Sequence, residues 1–186
     1  MSAAAARAVG GTAEGVQARA GTEDEARVRA AWGALAAVPD PELPALTLAD
    51  LGILRSVDLR SDGVLDVGLS PTYTGCPATD YIAELARRAL EDAAVGEFTV
   101  RHVLAPAWSS DWITPEGRRK LDAYGIVPPA SAASSSWRSS TAALPVACPR
   151  CRSARTETIS EFGSTPCKAL HRCLDCLEPF ERFKCI

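Results

Sequence analysis

Two closely spaced cysteine pairs near the C-terminus constrain this chain more than any other feature. The pairs are Cys148-Pro-Arg-Cys151 and Cys173-Leu-Asp-Cys176. A tetrahedral Zn²⁺ ion requires four thiolates that converge on one point, and each C-x-x-C turn supplies two of them. The spacing therefore predicts a zinc ribbon that binds one zinc ion per chain through these four cysteines. The alternative is two unrelated pairs that are buried or joined as disulfides.

The segment between the two pairs is typical of a β-hairpin. Residues 156–162 alternate like a strand, residues 163–166 are turn formers, and residues 169–172 lead back to the second pair. Four sulfurs complete a zinc shell, which leaves Cys167 and Cys185 over. Either could approach the ribbon metal or the other, but small buried thiols are the simpler interpretation.

Size and composition limit what the rest of the chain can be. The 186 residues, 47% of them hydrophobic, suffice for one ordinary domain and a small one. A formal net charge of −3 disfavours a protein that mainly binds nucleic-acid backbones. No apolar stretch approaches the length of a membrane span, and the first residues lack the apolar core of a secretory signal. We therefore expect a cytoplasmic protein that binds neither nucleic acid nor membrane.

The order of helix and strand patterns divides the chain into four segments. Residues 1–21 are rich in alanine and glycine, which is typical of a disordered extension. Residues 22–129 follow an αββαβα order, which predicts an α/β (α+β) domain with a small mixed sheet of about three strands. Residues 130–147, rich in serine and alanine, predict a flexible linker. Residues 148–186 form the predicted ribbon.

Cys76 is the candidate reactive thiol of the α/β domain. It ends the loop that begins at Ser70 and precedes a segment whose apolar residues recur at helical spacing. Pro77 favours the first position of a helix, which predicts Cys76 at or beside the N-cap. There the helix dipole would stabilise a thiolate that could ligate iron or a cluster, or act as a nucleophile. The alternative is a small cysteine that only packs.

Two acidic residues and three aromatic residues allow more than one interpretation. Asp40 and Glu42 lie on a proline-constrained loop, where their carboxylates could ligate a metal, cap a helix, pair with an arginine or face solvent. Trp108, Trp112 and Tyr124 mark the end of the α/β domain. They could cover its core or expose an anchor for a partner.

Several motifs resemble known families. Val38-Pro-Asp-Pro-Glu42, Leu48-Ala-Asp-Leu-Gly52 and Ser70-Pro-Thr-Tyr-Thr-Gly-Cys-Pro77 resemble the Fe–S cluster assembly-factor domain of SufT-like proteins. Trp108-Ser-Ser-Asp-Trp-Ile-Thr114 and the segment from Cys148 to Cys185 resemble the PaaD family, small accessory subunits associated with phenylacetyl-CoA epoxidase. The resemblance covers roughly residues 25–186.

The resemblance implies a non-catalytic factor that assists iron or Fe–S cluster insertion into that epoxidase, which acts in aerobic phenylacetate degradation. The resemblance implies that Cys76, in a loop with Thr74, corresponds to the family's reactive cysteine. It likewise implies that Asp40 and Glu42 correspond to the family's acidic loop. The implied cargo is transient iron or an Fe–S cluster, and the implied partners are oxygenase or reductase subunits. A homodimer could bring two Cys76 thiolates to one cluster, since one thiolate is too few for stable binding.

Three other functions remain open at this point. A subunit that only scaffolds the oxygenase complex would need no reactive thiol. A redox protein is suggested by Cys148-Pro-Arg-Cys151, but such a motif should follow a strand and open a helix, whereas this one follows a serine-rich segment. A nucleic-acid-binding ribbon is suggested by Arg150, Arg152 and Arg155, against the acidic net charge.

Overall fold

A computed structural model describes residues 23–73, 75–130 and 146–184 of the chain. The predicted N-terminal extension, nearly all of the serine-rich linker, Thr74 and Cys185 lie outside these residues. The described residues form two sheets, one before residue 103 and one built largely from the ribbon.

The first sheet is three-stranded and mixed, which confirms the predicted fold class. Strands β1 (Leu54–Leu59) and β2 (Leu65–Leu69) form an antiparallel hairpin, and β3 (Phe98–His102) pairs in parallel with β2. The hairpin turn contains Gly63 at φ +82°, a conformation that favours glycine. The central strand β2 turns its leucines and valine inward, and Leu65, for example, is fully buried.

Two helices of 14 residues each, α1 (Glu23–Ala36) and α2 (Thr79–Asp92), pack around this sheet. Helix α2 forms the crossover between β2 and β3, and its buried residues recur at helical spacing: Ile82, Ala83, Ala86 and Leu90. Full burial of a side chain such as that of Leu90 contributes about 2 kcal/mol. A 14-residue helix is too short for a bilayer core, and no described helix could cross a membrane.

A third helix, α3 (Pro115–Ala123), begins as the sequence predicts. The Thr114 hydroxyl accepts a hydrogen bond from the Gly117 N–H at 2.9 Å, and Pro115 occupies the first helical position. Gly117 also lies against Asp50, because a Cβ at this position would come within 2.6 Å of the Asp50 carbonyl oxygen. Helix α3 therefore packs directly on the loop that precedes β1.

The C-terminal residues form a zinc-ribbon sheet with more strands than the predicted hairpin. Strands β5 (Thr156–Ser160) and β6 (Lys168–Cys173) are the predicted hairpin, and β7 (Pro179–Phe183) adds a third antiparallel strand. A fourth strand, β4 (Ile126–Val127), pairs with β7 in parallel. Strand β4 follows α3 and lies within residues 22–129, the predicted α/β domain. The end of that domain at residue 129 remains a prediction. The ribbon sheet thus includes two residues of the preceding segment.

The ribbon packs directly against the α/β domain. Phe183 is fully buried and belongs to the same apolar core as Leu35, and its ring centroid lies 6.0 Å from that of Trp108. The Trp108 indole N–H donates to the Leu51 carbonyl at 2.9 Å. Trp108 therefore covers the core, one of the two predicted alternatives, whereas the Tyr124 side chain is exposed.

Candidate metal centre and thiol cleft

The four ribbon cysteines converge on one point. Their sulfur atoms all lie within 4.8 Å of one another. The distance between Cys148 Sγ and Cys176 Sγ is 3.7 Å, and that between Cys151 Sγ and Cys173 Sγ is 3.5 Å. A Zn–S bond of about 2.3 Å gives a sulfur tetrahedron with edges of about 3.8 Å. The four cysteines therefore form a metal-binding cluster whose dimensions fit one tetrahedral ion.

Both cysteine pairs lie in turns of the same kind. The residue after each pair, Arg152 and Leu177, has a left-handed backbone, with φ of 63° and 62°. In the second turn the Cys176 N–H points at Cys173 Sγ across 3.5 Å. Backbone N–H groups directed at sulfur stabilise the thiolate over the thiol. The second turn therefore favours the thiolate form of Cys173, the form that metals require.

The close packing of the four sulfurs favours the binding of a cation among them. The N–H groups of Cys176 and Asp175 lower the pKa of Cys173 to about 6. The Glu178 N–H acts in the same direction on Cys176, but desolvation and the neighbouring sulfurs outweigh it and raise the pKa of Cys176 to about 12. Cys176 therefore resists ionisation beside the other sulfurs unless positive charge lies near it.

Burial separates the four ligands into an inner and an outer pair. Cys148 and Cys173 are buried against Phe180, whereas Cys151 and Cys176 reach solvent. Four protein ligands fill every position of a tetrahedral ion and leave none for a substrate. This cluster is therefore suited to a structural metal and not to catalysis.

A second sulfur-containing feature is a cleft between the α/β domain and the ribbon. Its walls include Cys76 from the loop before α2, Cys167 from the turn before β6, and the apolar side chains of Leu51 and Phe183. The cleft opens to solvent, and the space in it that can hold a water-sized molecule is about 20 Å³. The docking of the ribbon creates this cleft, so neither thiol alone defines it.

Cys76 is half-buried, but it does not lie at the N-cap as the sequence predicts. Helix α2 begins at Thr79 with Ala78 as the N-cap, two residues beyond Cys76. The reason is that the Cys76 carbonyl accepts hydrogen bonds from both the Thr79 hydroxyl at 2.7 Å and the Thr79 N–H at 3.3 Å. These bonds close a separate turn before the helix starts. Thr74, the other candidate in this loop, lies outside the described residues.

Cys167 is the residue of this cleft to which the sequence assigned no functional role. It is buried, and its sulfur lies 3.1 Å from the Thr165 hydroxyl oxygen. Burial raises the pKa of the Cys167 thiol, and charge on Cys76 raises it further, although Thr165 and Lys168 oppose this. Cys167 and Cys76 line the same cleft. The only sequence signal was an unassigned cysteine in the ribbon turn.

The two candidate carboxylates differ in their environments. Asp40 is 6% exposed, and its Oδ1 accepts the N–H groups of Glu42 and Leu43, both at 2.9 Å. Burial raises the pKa of Asp40 despite these hydrogen bonds and nearby Lys168. Glu42 is exposed at the rim of the cleft. Asp40 therefore holds the loop in shape, and both acidic residues line the same cleft as Cys76.

Two family models match successive parts of the chain. Residues 28–104 match the family described as iron-sulfur cluster assembly protein, and residues 132–184 match the PaaD zinc beta ribbon domain. The first match contains the three-stranded sheet and Cys76. The second contains all four cysteines of the metal-binding cluster.

Individual relatives extend the comparison. A protein of Escherichia coli K12, provisionally named as one of the subunits of 1,2-phenylacetyl-CoA epoxidase, is 47% identical over 162 residues, which are 86% of this chain and 94% of that protein. An Fe-S protein maturation auxiliary factor of Porphyromonas gingivalis is 33% identical over 88 residues, 47% of this chain and 83% of its own. A crystal structure of a domain of unknown function, DUF59, from Bacillus anthracis has 26% identity, a TM-score of 0.48, and coverage of 52% of this chain and 92% of its own.

Proposed function

The chain belongs to the PaaD family, and on that premise we propose that it is a non-catalytic accessory factor in the maturation of an Fe–S protein. The proposed client belongs to a phenylacetyl-CoA epoxidase and is either its oxygenase or its reductase. The name of the E. coli relative supports the choice of enzyme, and the name of the shorter P. gingivalis relative supports the role in maturation.

One observation carries this proposal: the chain contains two sulfur sites of opposite character. The ribbon cluster has four thiols within 4.8 Å of one another, a closed set that holds an ion permanently. The cleft presents Cys76, half-buried, beside open space. An incomplete ligand set binds iron or a cluster weakly, because a stable Fe–S site takes four protein ligands. Weak binding is what a protein that passes its cargo on requires.

The roles of the individual residues follow from this division. The ribbon cysteines hold one zinc ion, which four thiolates at tetrahedral spacing suit. Cys76 binds the transient iron or cluster, and Asp40 and Glu42 supply negative charge around it. A homodimer would let two Cys76 thiolates share one cluster. The ribbon would contact the client through exposed side chains such as Phe162, which is 60% exposed.

Activation of the epoxidase in cells tests this function. Cells that produce the epoxidase and the Cys76→Ala variant should yield a client with less than half of the iron found with the unchanged chain. Tyr73→Phe is the matched control, because it alters the same loop and keeps the thiol. Undiminished client iron and activity with Cys76→Ala would refute the role of Cys76.

A scaffold protein is the second candidate, favoured by the packing of Cys76 against the apolar core. A scaffold would need the ribbon fold but no reactive thiol. Cys76→Ser would then leave the client fully active, while variants of the ribbon cysteines would abolish assembly of the complex. The maturation factor instead requires both sites.

A further inference from the structure

We infer that Cys167 is the second thiolate of the Cys76 cleft, so that one chain binds a soft divalent cation such as Fe²⁺ between its α/β domain and its ribbon. The inference deepens the proposed function and depends on its assignment of Cys76. It gives the ribbon a direct part in holding the cargo.

The fold places Cys76 and Cys167 at the same cleft. The Cys167 carbonyl accepts the Lys184 N–H at 2.9 Å, which fixes this residue beside the end of β7. The adjacent Phe183 is fully buried in the α/β core, so the ribbon cannot carry Cys167 away without exposing that ring. Cys76 lines the same cleft as Cys167. The fold therefore brings together two thiols that are 91 positions apart in the sequence.

A buried carboxylate, that of Asp40, adds a third potential metal ligand. Asp40 is 6% exposed and lines the same cleft, and its Oδ1 accepts two backbone N–H groups. Two thiolates and one carboxylate form a ligand set that suits Fe²⁺, Co²⁺ and Zn²⁺.

The ligands of the cleft are less tightly assembled than those of the ribbon cluster. Across residues 23–73, 75–130 and 146–184, only the ribbon cysteines form a preassembled group of three or more metal ligands. Binding of an ion by Cys76 and Cys167 would bring these ligands together, and each thiol would release a proton to solvent as its sulfur–metal bond forms. A site of this kind binds reversibly, in contrast to the ribbon cluster.

Cobalt binding to the full chain tests the inference. The chain is prepared anaerobically with one equivalent of Zn²⁺, which the ribbon cluster takes first because it offers four thiolates. Co²⁺ is then titrated, and the sulfur-to-cobalt charge-transfer absorbance reports thiolate ligands. We expect one additional Co²⁺ per chain. Cys76→Ser and Cys167→Ser should each reduce the absorbance per bound ion to about half and weaken binding at least about tenfold.

Ala169→Ser is the control, because it places a hydroxyl in the same ribbon strand and leaves both thiols in place. It should bind Co²⁺ like the unchanged chain, and thermal unfolding verifies that every variant is folded. Cys167→Ala gives a second variant if the serine proves unstable. Wild-type affinity and absorbance in the Cys167 variants would overturn the inference, as would the absence of thiolate-bound Co²⁺ in the unchanged chain. If client activation needs Cys76 but not Cys167, the inference fails while the proposed function stands.

Discussion

The ring of Phe183, in the last ribbon strand, lies 6.0 Å from the ring of Trp108, at the end of the α/β domain, and the two planes meet at 48°. Both side chains are buried, Phe183 completely. The contact joins the ribbon to the core of the other domain. Phe183 also forms part of the wall of the cleft that holds Cys76 and Cys167.

Removal of this ring should destabilise the whole chain. Phe183→Ala deletes a fully buried aromatic side chain and should lower the free energy of unfolding by about 3–5 kcal/mol. Urea denaturation of the zinc-loaded protein measures the loss. Phe162→Ala is the control, because Phe162 is 60% exposed and its removal should cost about 0.5 kcal/mol or less. Equal stability of the two variants would show that the ribbon does not share the core.

Replacement of Leu177, the left-handed residue in the second cysteine turn, should stabilise the protein. Leu177 has φ of 62° and is 68% exposed, so its side chain gains little from burial and strains the backbone. Leu177→Gly should therefore raise the free energy of unfolding by about 1 kcal/mol. Thermal unfolding compares it with Leu174→Gly in the same turn. Leu174 does not have a positive φ, and its replacement by glycine should destabilise the protein instead.

The ion pair between Asp50 and Lys120 should make stability depend on pH. The Lys120 Nζ lies 2.6 Å from Asp50 Oδ2 and joins helix α3 to the loop before β1. Burial alone would raise the pKa of Asp50, but hydrogen bonds from Lys120 and Thr47 outweigh it and lower this pKa below 3.8. A lowered pKa in the folded state contributes stability above the unfolded pKa, and the contribution is lost as the pH falls through the folded value.

Lys120→Met should thus cost about 1–3 kcal/mol at pH 7. The difference from the unchanged chain should shrink below pH 3.8, where Asp50 becomes protonated in the unfolded chain. Urea denaturation of both proteins at each pH gives this difference, and comparison at equal pH cancels the loss of metal in acid. A difference that stays constant between about pH 7 and pH 3 would contradict the assignment.

Metal removal should act on the ribbon first. The unfolded chain has no preformed site, so the free energy of metal binding contributes to folding. Treatment with a strong chelator should remove one zinc ion per chain and expose the amides of β5 to β7 to hydrogen exchange, while α2 stays protected. Cys148→Ser should behave like the chelated protein. Ribbon amides that stay equally protected without metal would show that the cluster does not hold this sheet together.

Much of the site could be predicted because its chemistry is local. The spacing within Cys148–Cys151 and Cys173–Cys176 brings each pair to one ion wherever the ribbon lies, and Thr114 with Pro115 defines a helix start within a single turn. The predicted start of α2 at Pro77 was wrong by two residues. The Thr79 hydroxyl donates to the Cys76 carbonyl, and this turn competes with the helical turn that Pro77 favours.

The features that escaped prediction depend on contacts between distant segments. Strand β7 forms because β4 and β6 lie on either side of it, and its sequence alone shows no such partner. The place of Cys167 in the cleft depends on the burial of Phe183 beneath Trp108. Local patterns do not encode which face of the ribbon meets the α/β domain, so this cysteine was predicted only as a small buried thiol, which it is.

The central claim is that one sulfur site keeps its metal while the other passes it on, and a transfer experiment tests it most directly. The full chain, loaded with one zinc ion and one isotopically labelled Fe²⁺, is mixed anaerobically with the iron-free client and separated again. We predict that the label moves to the client while zinc stays with the chain, and that Cys76→Ala carries no label to transfer. Release of zinc at the same rate as iron, or label that stays with the chain, would contradict the account.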